Sequence, residues 1–318
     1  MNITVIGCGR WGSLIAWYLD TLNHQVTLYG RPSSAKMQAF LKERKNDLLT
    51  LPDSIALSTE LSCIQAAEVV IISISAQNLQ DLCDELRQYN IAGKTVVLCM
   101  KGIEIKTGRR LSEIAAESLP EDCPIAVWLG PGHVQEFYNG IPNCMVIDSD
   151  DNDAKDCLIR AFSGPLIRFY YGEDLIGNEI GAAAKNVIGI AAGMLDGLNL
   201  TSLKGALTAR ATREISRLIK RMGGNPLSAY GLCHLGDYGA TVFSPYSHNR
   251  KFGEAFIKKE PFDHLAEGYY TVQAIVKLAV KHQVELPICE TVYRILFEDA
   301  EPQDALTLLL TRDLKTEF

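Results

Sequence analysis

Residues 1–20, MNITVIGCGRWGSLIAWYLD, decide the fold. A β-branched apolar run stops at Gly7, glycines recur at Gly9 and Gly12, and apolar residues then resume at helical spacing. In a dinucleotide-binding strand-turn-helix unit, the first glycine permits a tight turn and the second lets backbone approach a pyrophosphate. The third lets the helix pack closely on the strand. Backbone N–H groups and the helix dipole then hold the phosphates. The spacing carries weight here because it follows a strand-like run and opens a helix-like one.

Outward from that turn, strand-length runs recur at 2–7, 25–30, 68–75, 94–100, 125–130, 143–148 and 167–172, with helical segments such as 13–23 and 78–89 between them. Several runs are apolar on both faces, as buried and largely parallel strands are. The alternation predicts an α/β, doubly wound, Rossmann-type sheet. After about residue 173 the strand pattern ends. Residues 176–198, IGNEIGAAAKNVIGIAAGMLDGL, are apolar nearly all round and predict a buried helix. Helices are also expected over about 205–222, 226–232, 268–283, 287–298 and 302–312. The predicted organisation is a dinucleotide-binding domain, 1–173, followed by an all-helical substrate and catalytic domain, 174–318.

The 318 residues are 47% hydrophobic and 22% charged, which places the chain among globular proteins with room for two cores. A net charge of -7 gives no long-range attraction to nucleic acid or to an anionic membrane. The nine cysteines are scattered singly, without metal-ligand spacing, and read as reduced packing residues. With a first strand starting near residue 2 and no apolar stretch of spanning length, a cytoplasmic location is expected. No metal is expected.

Three further features carry chemistry. NAD-selective sites place a carboxylate at the end of the second strand, to hold ribose hydroxyls. Here that place reads LYGRPSSAK (28–36), with Arg31 and no acid nearby. A guanidinium there stacks on adenine and pairs with a 2′-phosphate, so NADP is expected to be accepted and preferred, with NAD also used. Next, Lys185 lies inside the most apolar helix, flanked on its face by Gly181, Ala182, Ile188 and Gly189. A buried amine is costly unless paired, and small neighbours leave a groove for a substrate to reach it. Finally, GLCHLGDYGATVFSPYSHNRKFG (231–253) reads as a long polar glycine-rich loop, from which Asp237 could orient Lys185 and later donors could hold an anion. Lys101, directly after a strand, stands at the carboxyl edge where open sheets bind ligands.

Taken in order along nearly the whole chain, these residues resemble the NAD(P)-dependent glycerol-3-phosphate dehydrogenase family. VIGCGRWGS (5–13) is similar to its cofactor turn, KGIE (101–104) to its post-strand lysine and GPGHV (130–134) to its G-P-S/T-F-A segment. EIGAAAKNVIGIAAGMLDGL (179–198) resembles its signature helix, and GLCHLGD (231–237) with SHNRKFG (247–253) its substrate loop. EGYYT (267–271), VELPICETVY (284–293) and LLLTRDLKTE (308–317) resemble its closing segments.

The resemblance implies hydride transfer between a nicotinamide and C2 of dihydroxyacetone phosphate or sn-glycerol 3-phosphate, in a homodimer that supplies phospholipid synthesis. It implies Lys185 as proton donor and acceptor with Asn186, Asp237 and Thr241 around it, and Lys101 between nicotinamide and substrate. Gly7, Gly9, Arg10, Trp11, Gly12, Arg31, Lys101, Val134, His248, Leu265 and Glu267 fall on cofactor positions. Gly130, Gly132, Ser247, His248, Asn249 and Arg250 fall with Lys101, Lys185 and Asp237 on substrate positions. Three positions depart from the family pattern. Gly132 replaces a serine or threonine, His248 replaces an arginine that touches substrate phosphate and cofactor, and Ser202-Leu203-Lys204 replaces N-A-R. Arg250, Lys251 and Lys204 are the nearest cations able to compensate. Two other readings remain open: a related dehydrogenase of a ketopantoate-like or hydroxyisobutyrate-like substrate, and a non-catalytic nicotinamide-binding sensor.

Overall fold

The computed structural model of the chain describes residues 1–313, 316 and 317. Leu314 and Lys315, within the last family-like segment, lie outside the described residues. The chain forms two compact units: Met1–Lys101 with Arg109–Glu179, and Gly102–Gly108 with Ile180–Phe318.

The first unit is built on eight strands: β1 (Asn2–Ile6), β2 (Gln25–Tyr29), β3 (Ala56–Ser58), β4 (Val69–Ile72), β5 (Thr95–Leu98), β6 (Ile125–Leu129), β7 (Asn143–Ser149) and β8 (Ile167–Tyr171). Their order is β3-β2-β1-β4-β5-β6-β7-β8, parallel throughout except that β7 runs antiparallel to β6. The sheet is therefore doubly wound, and the order reverses between β1 and β4. Open sheets of this kind bind ligands at the carboxyl edge of that switch point. Helices α1 (Arg10–Thr21), α2 (Ala35–Glu43), α3 (Leu79–Leu86), α4 (Leu111–Ser118), α5 (Val134–Tyr138) and α6 (Asn152–Phe162) connect the strands. Strand β3 escapes the sequence reading because three residues are too few to show a period; it adds to the β2 edge through Thr27, Leu28 and Tyr29. Helix α1 begins at Arg10, three residues before the expected helical segment 13–23.

The core of this unit is aliphatic and aromatic. Tyr18, Trp128 and Phe162 stack by their edges and faces, and Tyr18 donates to the Phe162 carbonyl at 2.6 Å, so its buried hydroxyl is satisfied.

The unit boundary at 179/180 falls inside α7 (Leu175–Gly197). The second unit continues with α8 (Lys204–Arg221), α9 (His248–Lys258), α10 (Glu267–Lys281), α11 (Pro287–Phe297) and α12 (Pro302–Leu310). The 226–232 stretch, expected as a helix, is a 3-10 turn over Pro226–Tyr230. The polar segment 231–253 is not a loop throughout. It makes a 3-10 turn (Leu235–Asp237), then a π turn (Gly239–Phe243), and its last six residues open α9. Among the described residues, no helix is long and apolar enough to cross a membrane. All nine cysteines are free thiols, six of them buried.

Candidate active site

The glycine turn follows β1 with each glycine in a distinct role. Gly7 has φ +112, and a Cβ there would lie 2.2 Å from the Ser73 carbonyl oxygen. A Cβ on Gly12 would lie 1.9 Å from the Gly7 carbonyl oxygen, so α1 can meet the turn only without a side chain. At Gly9, the residue that caps α1, an added Cβ would meet nothing within 4 Å. Two glycines thus permit the backbone path and the third keeps a face open beside helix N–H groups, which suits a phosphate.

Around this turn stand the carboxyl ends of β2, β5 and β6. Arg31 is exposed just past β2. Lys101 follows β5 and donates to the Gly130 carbonyl oxygen, 2.5 Å away past β6. Gly130 and Gly132 adopt φ +131 and +142. Gly132 cannot carry the family's serine or threonine here, because a Cβ would lie 2.1 Å from the Phe137 ring of α5. That ring also packs on Trp11, centroids 5.9 Å apart. Val134, the first residue of α5, is buried, and Arg10 reaches Gln135 at 3.3 Å.

In the second unit, α7 carries Gly181, Lys185, Gly189, Gly193 and Gly197 in one stripe, each four residues after the last. Sequence alone suggests a groove there; the structure fills it with the chain from 234 to 257. Added Cβ atoms would lie 2.9 Å from His234 Cβ at Gly181, 2.8 Å from Thr241 Cγ2 at Gly189 and 1.9 Å from the Arg250 carbonyl oxygen at Gly193. From α9, Gly253 reciprocates, its own Cβ position lying 2.1 Å from the Ile190 carbonyl oxygen. The glycines are thus packing residues, and the one long side chain in their stripe is pressed against the Asp237 turn.

There Lys185 is 8% exposed, with its Nζ 2.9 Å from Asp237 Oδ2 and 2.7 Å from Thr241 Oγ1. Thr241 Oγ1 lies 3.4 Å from Asp237 Oδ1, closing a three-membered polar cluster. Asp237 and Thr241 are 1% and 2% exposed, so the cluster is held nearly dry and its interactions are strong. Beside it Asn249 donates to the Asn186 side-chain oxygen at 3.0 Å and accepts from the Gly268 N–H at 2.9 Å, tying α9, α7 and α10 together.

The remaining expected residues divide. Ser247 caps α9, accepting from the Arg250 N–H at 3.3 Å. His248 stacks on His264, centroids 5.0 Å apart at 20°. Leu265 is exposed. Arg250 and Lys204, two of the cations proposed to replace the missing arginine, both close on Asp196 Oδ2 at 2.6 Å. Burial acts to raise the Asp196 carboxyl, but hydrogen bonds from Lys204, Thr201 and Arg250 hold it below the usual range.

Each unit carries a buried polar atom with no hydrogen-bond partner, Trp11 Nε1 in the first and Glu267 Oε2 in the second, and burial pushes the Glu267 carboxyl up to about 7. A desolvated carboxyl and an indole N–H left so are costly unless a ligand pairs them.

Two family models match the chain: the N-terminal region of NAD-dependent glycerol-3-phosphate dehydrogenase over residues 2–155, and its C-terminal region over 174–307. The chain belongs to the NAD-dependent glycerol-3-phosphate dehydrogenase family. It is 35% identical to a glycerol-3-phosphate dehydrogenase (NAD(P)+) of Prosthecochloris aestuarii, covering 100% of both chains. It is also similar to the crystal structure of glycerol-3-phosphate dehydrogenase from Coxiella burnetii, at 28% identity, TM-score 0.92, and coverage of 98% and 99%. A ketopantoate reductase from Ralstonia eutropha shares the fold alone, at 12% identity and TM-score 0.63 over 96% and 100%.

Against this glycerol-3-phosphate dehydrogenase pattern, sequence reasoning missed His234. It is fully buried, and burial holds its ring down to about 4 from 6.5 against the raising effects of its Gly181 bond and Asp237, with the Lys185 charge adding the smallest effect, also downward. A lone histidine in a glycine-rich stretch carries no spacing signal. Because the folded value is depressed, this neutral ring contributes its full stability above pH 6.5. The contribution is lost as pH falls from 6.5 through about 4, where the unfolded chain takes up the proton first. That drop corresponds to roughly 3 kcal/mol. Urea unfolding between pH 7 and 4 is expected to lose stability more shallowly in His234→Gln than in the unsubstituted protein.

Proposed function

We propose that the protein reduces dihydroxyacetone phosphate to sn-glycerol 3-phosphate, reversibly, with NADPH preferred over NADH. The observation that carries this reading is the buried Lys185 amine, paired to Asp237 and bonded to Thr241 on a helix otherwise lined with glycine. A structural lysine has no need of such an environment, whereas a proton donor must be desolvated, oriented and kept in place.

The first unit is the dinucleotide-binding domain in this reading and the helical unit the substrate domain. Gly7, Gly9, Arg10, Trp11 and Gly12 would hold the pyrophosphate side of NADP, with Arg31 on the 2′-phosphate, and Lys101, Val134, His248, Leu265 and Glu267 would complete the cofactor contacts. The bound nicotinamide supplies or accepts a hydride at C2. Lys185 gives a proton to the C2 oxygen as charge develops there and takes it back in the oxidative direction. Asp237 and Thr241 fix the direction of the amine, and Asn186 is fixed in turn through Asn249. Lys101 adds positive potential near the carbonyl. Gly130, Gly132, Ser247, His248, Asn249 and Arg250 are the remaining substrate contacts. Resemblance to the family supports a cytoplasmic homodimer whose product feeds phospholipid synthesis.

The deciding assay follows NADPH oxidation with dihydroxyacetone phosphate beside non-phosphorylated 2-keto compounds such as ketopantoate. Turnover confined to the phosphorylated ketone is expected; turnover of ketopantoate alone would give the reaction to a different substrate class, and no turnover would leave a sensor. In the same assay NADPH is expected to give the higher kcat/KM than NADH, through Arg31. A strong preference for NADH would refute the 2′-phosphate role.

His248 tests the phosphate contact. Arg250 and Lys204 both pair with Asp196, so the charge that either brings to a substrate phosphate is already partly neutralised. His248→Arg supplies a bidentate phosphate donor, and the KM for dihydroxyacetone phosphate is expected to fall about tenfold, as one charge-assisted contact warrants. An unchanged or higher KM would mean that the phosphate is held elsewhere.

A further inference from the structure

The Asp237 turn contains a buried imidazole that the chemistry above leaves unused. His234 Nδ1 lies 2.8 Å from the Gly181 carbonyl oxygen, and Nε2 lies 2.7 Å from the Tyr238 hydroxyl. A carbonyl can only accept, so Nδ1 carries the ring proton and donates it to Gly181. The neutral ring then offers Nε2 as an acceptor, and the Tyr238 hydroxyl donates to it. Burial, together with the Lys185 charge, keeps this ring uncharged at neutral pH.

Both bonds end next to the reacting groups. Gly181 lies one helical turn before Lys185, so in α7 its carbonyl is also the acceptor for the Lys185 backbone N–H. Tyr238 directly follows Asp237 and is itself buried, its ring set edge-on to His234 at 4.9 Å. The fit is tight on the α7 side, where the absence of a Gly181 side chain admits the histidine Cβ. A change in the length or polarity of residue 234 therefore moves the helix turn under Lys185 relative to the carboxylate that pairs with it.

We propose that His234 is a positioning residue for the proton transfer, a neutral donor and acceptor that sets the distance between α7 and the Asp237 turn and so the aim of the Lys185 amine. This rests on the reading of Lys185 as the proton donor. The charged groups acting on the ring are Lys185 and Asp237, and its hydrogen-bond contacts are the Gly181 carbonyl and the Tyr238 hydroxyl.

The test compares His234→Gln, His234→Asn and His234→Phe with the unsubstituted full-length chain. Gln keeps a donor and an acceptor at the reach of Nε2, Asn keeps them only at the reach of Nδ1 and falls short of Tyr238, and Phe keeps volume without polar atoms. Steady-state kcat and KM for dihydroxyacetone phosphate are measured across pH 6–9 with thermal unfolding alongside. The Lys185 side-chain resonance is followed in lysine-labelled protein, assigned by its loss in Lys185→Met. A misaim of about 1 Å costs up to about 100-fold. Asn and Phe are therefore expected to lower kcat at least tenfold, leave KM within about twofold, move the pH profile of kcat and displace the Lys185 resonance, while Gln restores most of each. Should Phe fail to fold, the Asn and Gln pair decides. Unsubstituted kcat, pH profile and Lys185 resonance in Asn would overturn the proposal and leave His234 a packing residue. If the unsubstituted protein itself does not reduce dihydroxyacetone phosphate, the proposed function fails, and the Lys185 resonance still decides whether His234 aims the amine.

Discussion

Lys185→Met is expected to abolish turnover while leaving NADPH affinity unchanged within about twofold. Removing a positioned general acid costs 10²–10⁴-fold in rate or more, and Lys185 is 2.9 Å from Asp237 in a nearly dry cluster. The dinucleotide turn lies in the other unit, so cofactor affinity, read by quenching of protein fluorescence, serves as the control. The substitution also strands a buried carboxylate, and breaking one side of a buried pair costs about 3–5 kcal/mol. Lys185→Met combined with Asp237→Asn removes both charges and is expected to recover most of that stability without recovering turnover. Residual turnover near the unsubstituted rate in a folded Lys185→Met protein would remove the proposed chemistry, whatever the affinity for NADPH.

The second large effect is a contrast between two glycines three residues apart. At Gly12 a methyl group would sit 1.9 Å from the Gly7 carbonyl oxygen, so Gly12→Ala forces α1 off β1. Overpacking of this kind costs about 1–3 kcal/mol and moves the turn itself, so both melting temperature and NADPH affinity are expected to fall. At Gly9 a methyl group meets no protein atom within 4 Å. Gly9→Ala is therefore expected to leave the melting temperature within a degree or two and still raise the KM for NADPH about tenfold or more, because the methyl occupies the place where a pyrophosphate approaches backbone. If Gly9→Ala binds NADPH normally, the phosphates do not rest on this turn. If Gly12→Ala melts normally, the close approach of helix and strand is less rigid than the geometry requires.

The sequence-level reading of the first unit succeeds where burial makes a short run self-describing. Strand β4 is apolar at all four positions because both faces of the sheet are covered, and no tertiary knowledge is needed to see it. It fails at β3, a three-residue edge strand whose pairing with β2 depends on where the chain returns. In the second unit the failure has a different cause. Gly253 and the polar run before it look like a turn, yet Ser247 caps a helix there and Gly253 is the point where α9 meets the Ile190 carbonyl. A glycine selected by a neighbour's backbone and a glycine selected by a turn are the same letter.

What the sequence determined by itself is whatever follows from local periodicity and composition: the strand-helix alternation, the dinucleotide turn, the buried helix of Lys185 and the expectation that so costly an amine has a partner. What only the tertiary structure decided is which groups are partners. Asp237 pairs with Lys185, Asp196 takes up Lys204 and Arg250, and His234 joins Gly181 to Tyr238. These pairings span 4–54 residues, and the longer ones depend on how closely the glycine stripe of α7 lets another chain segment approach. The sum of packing distances fixes that approach, and no window along the chain contains it.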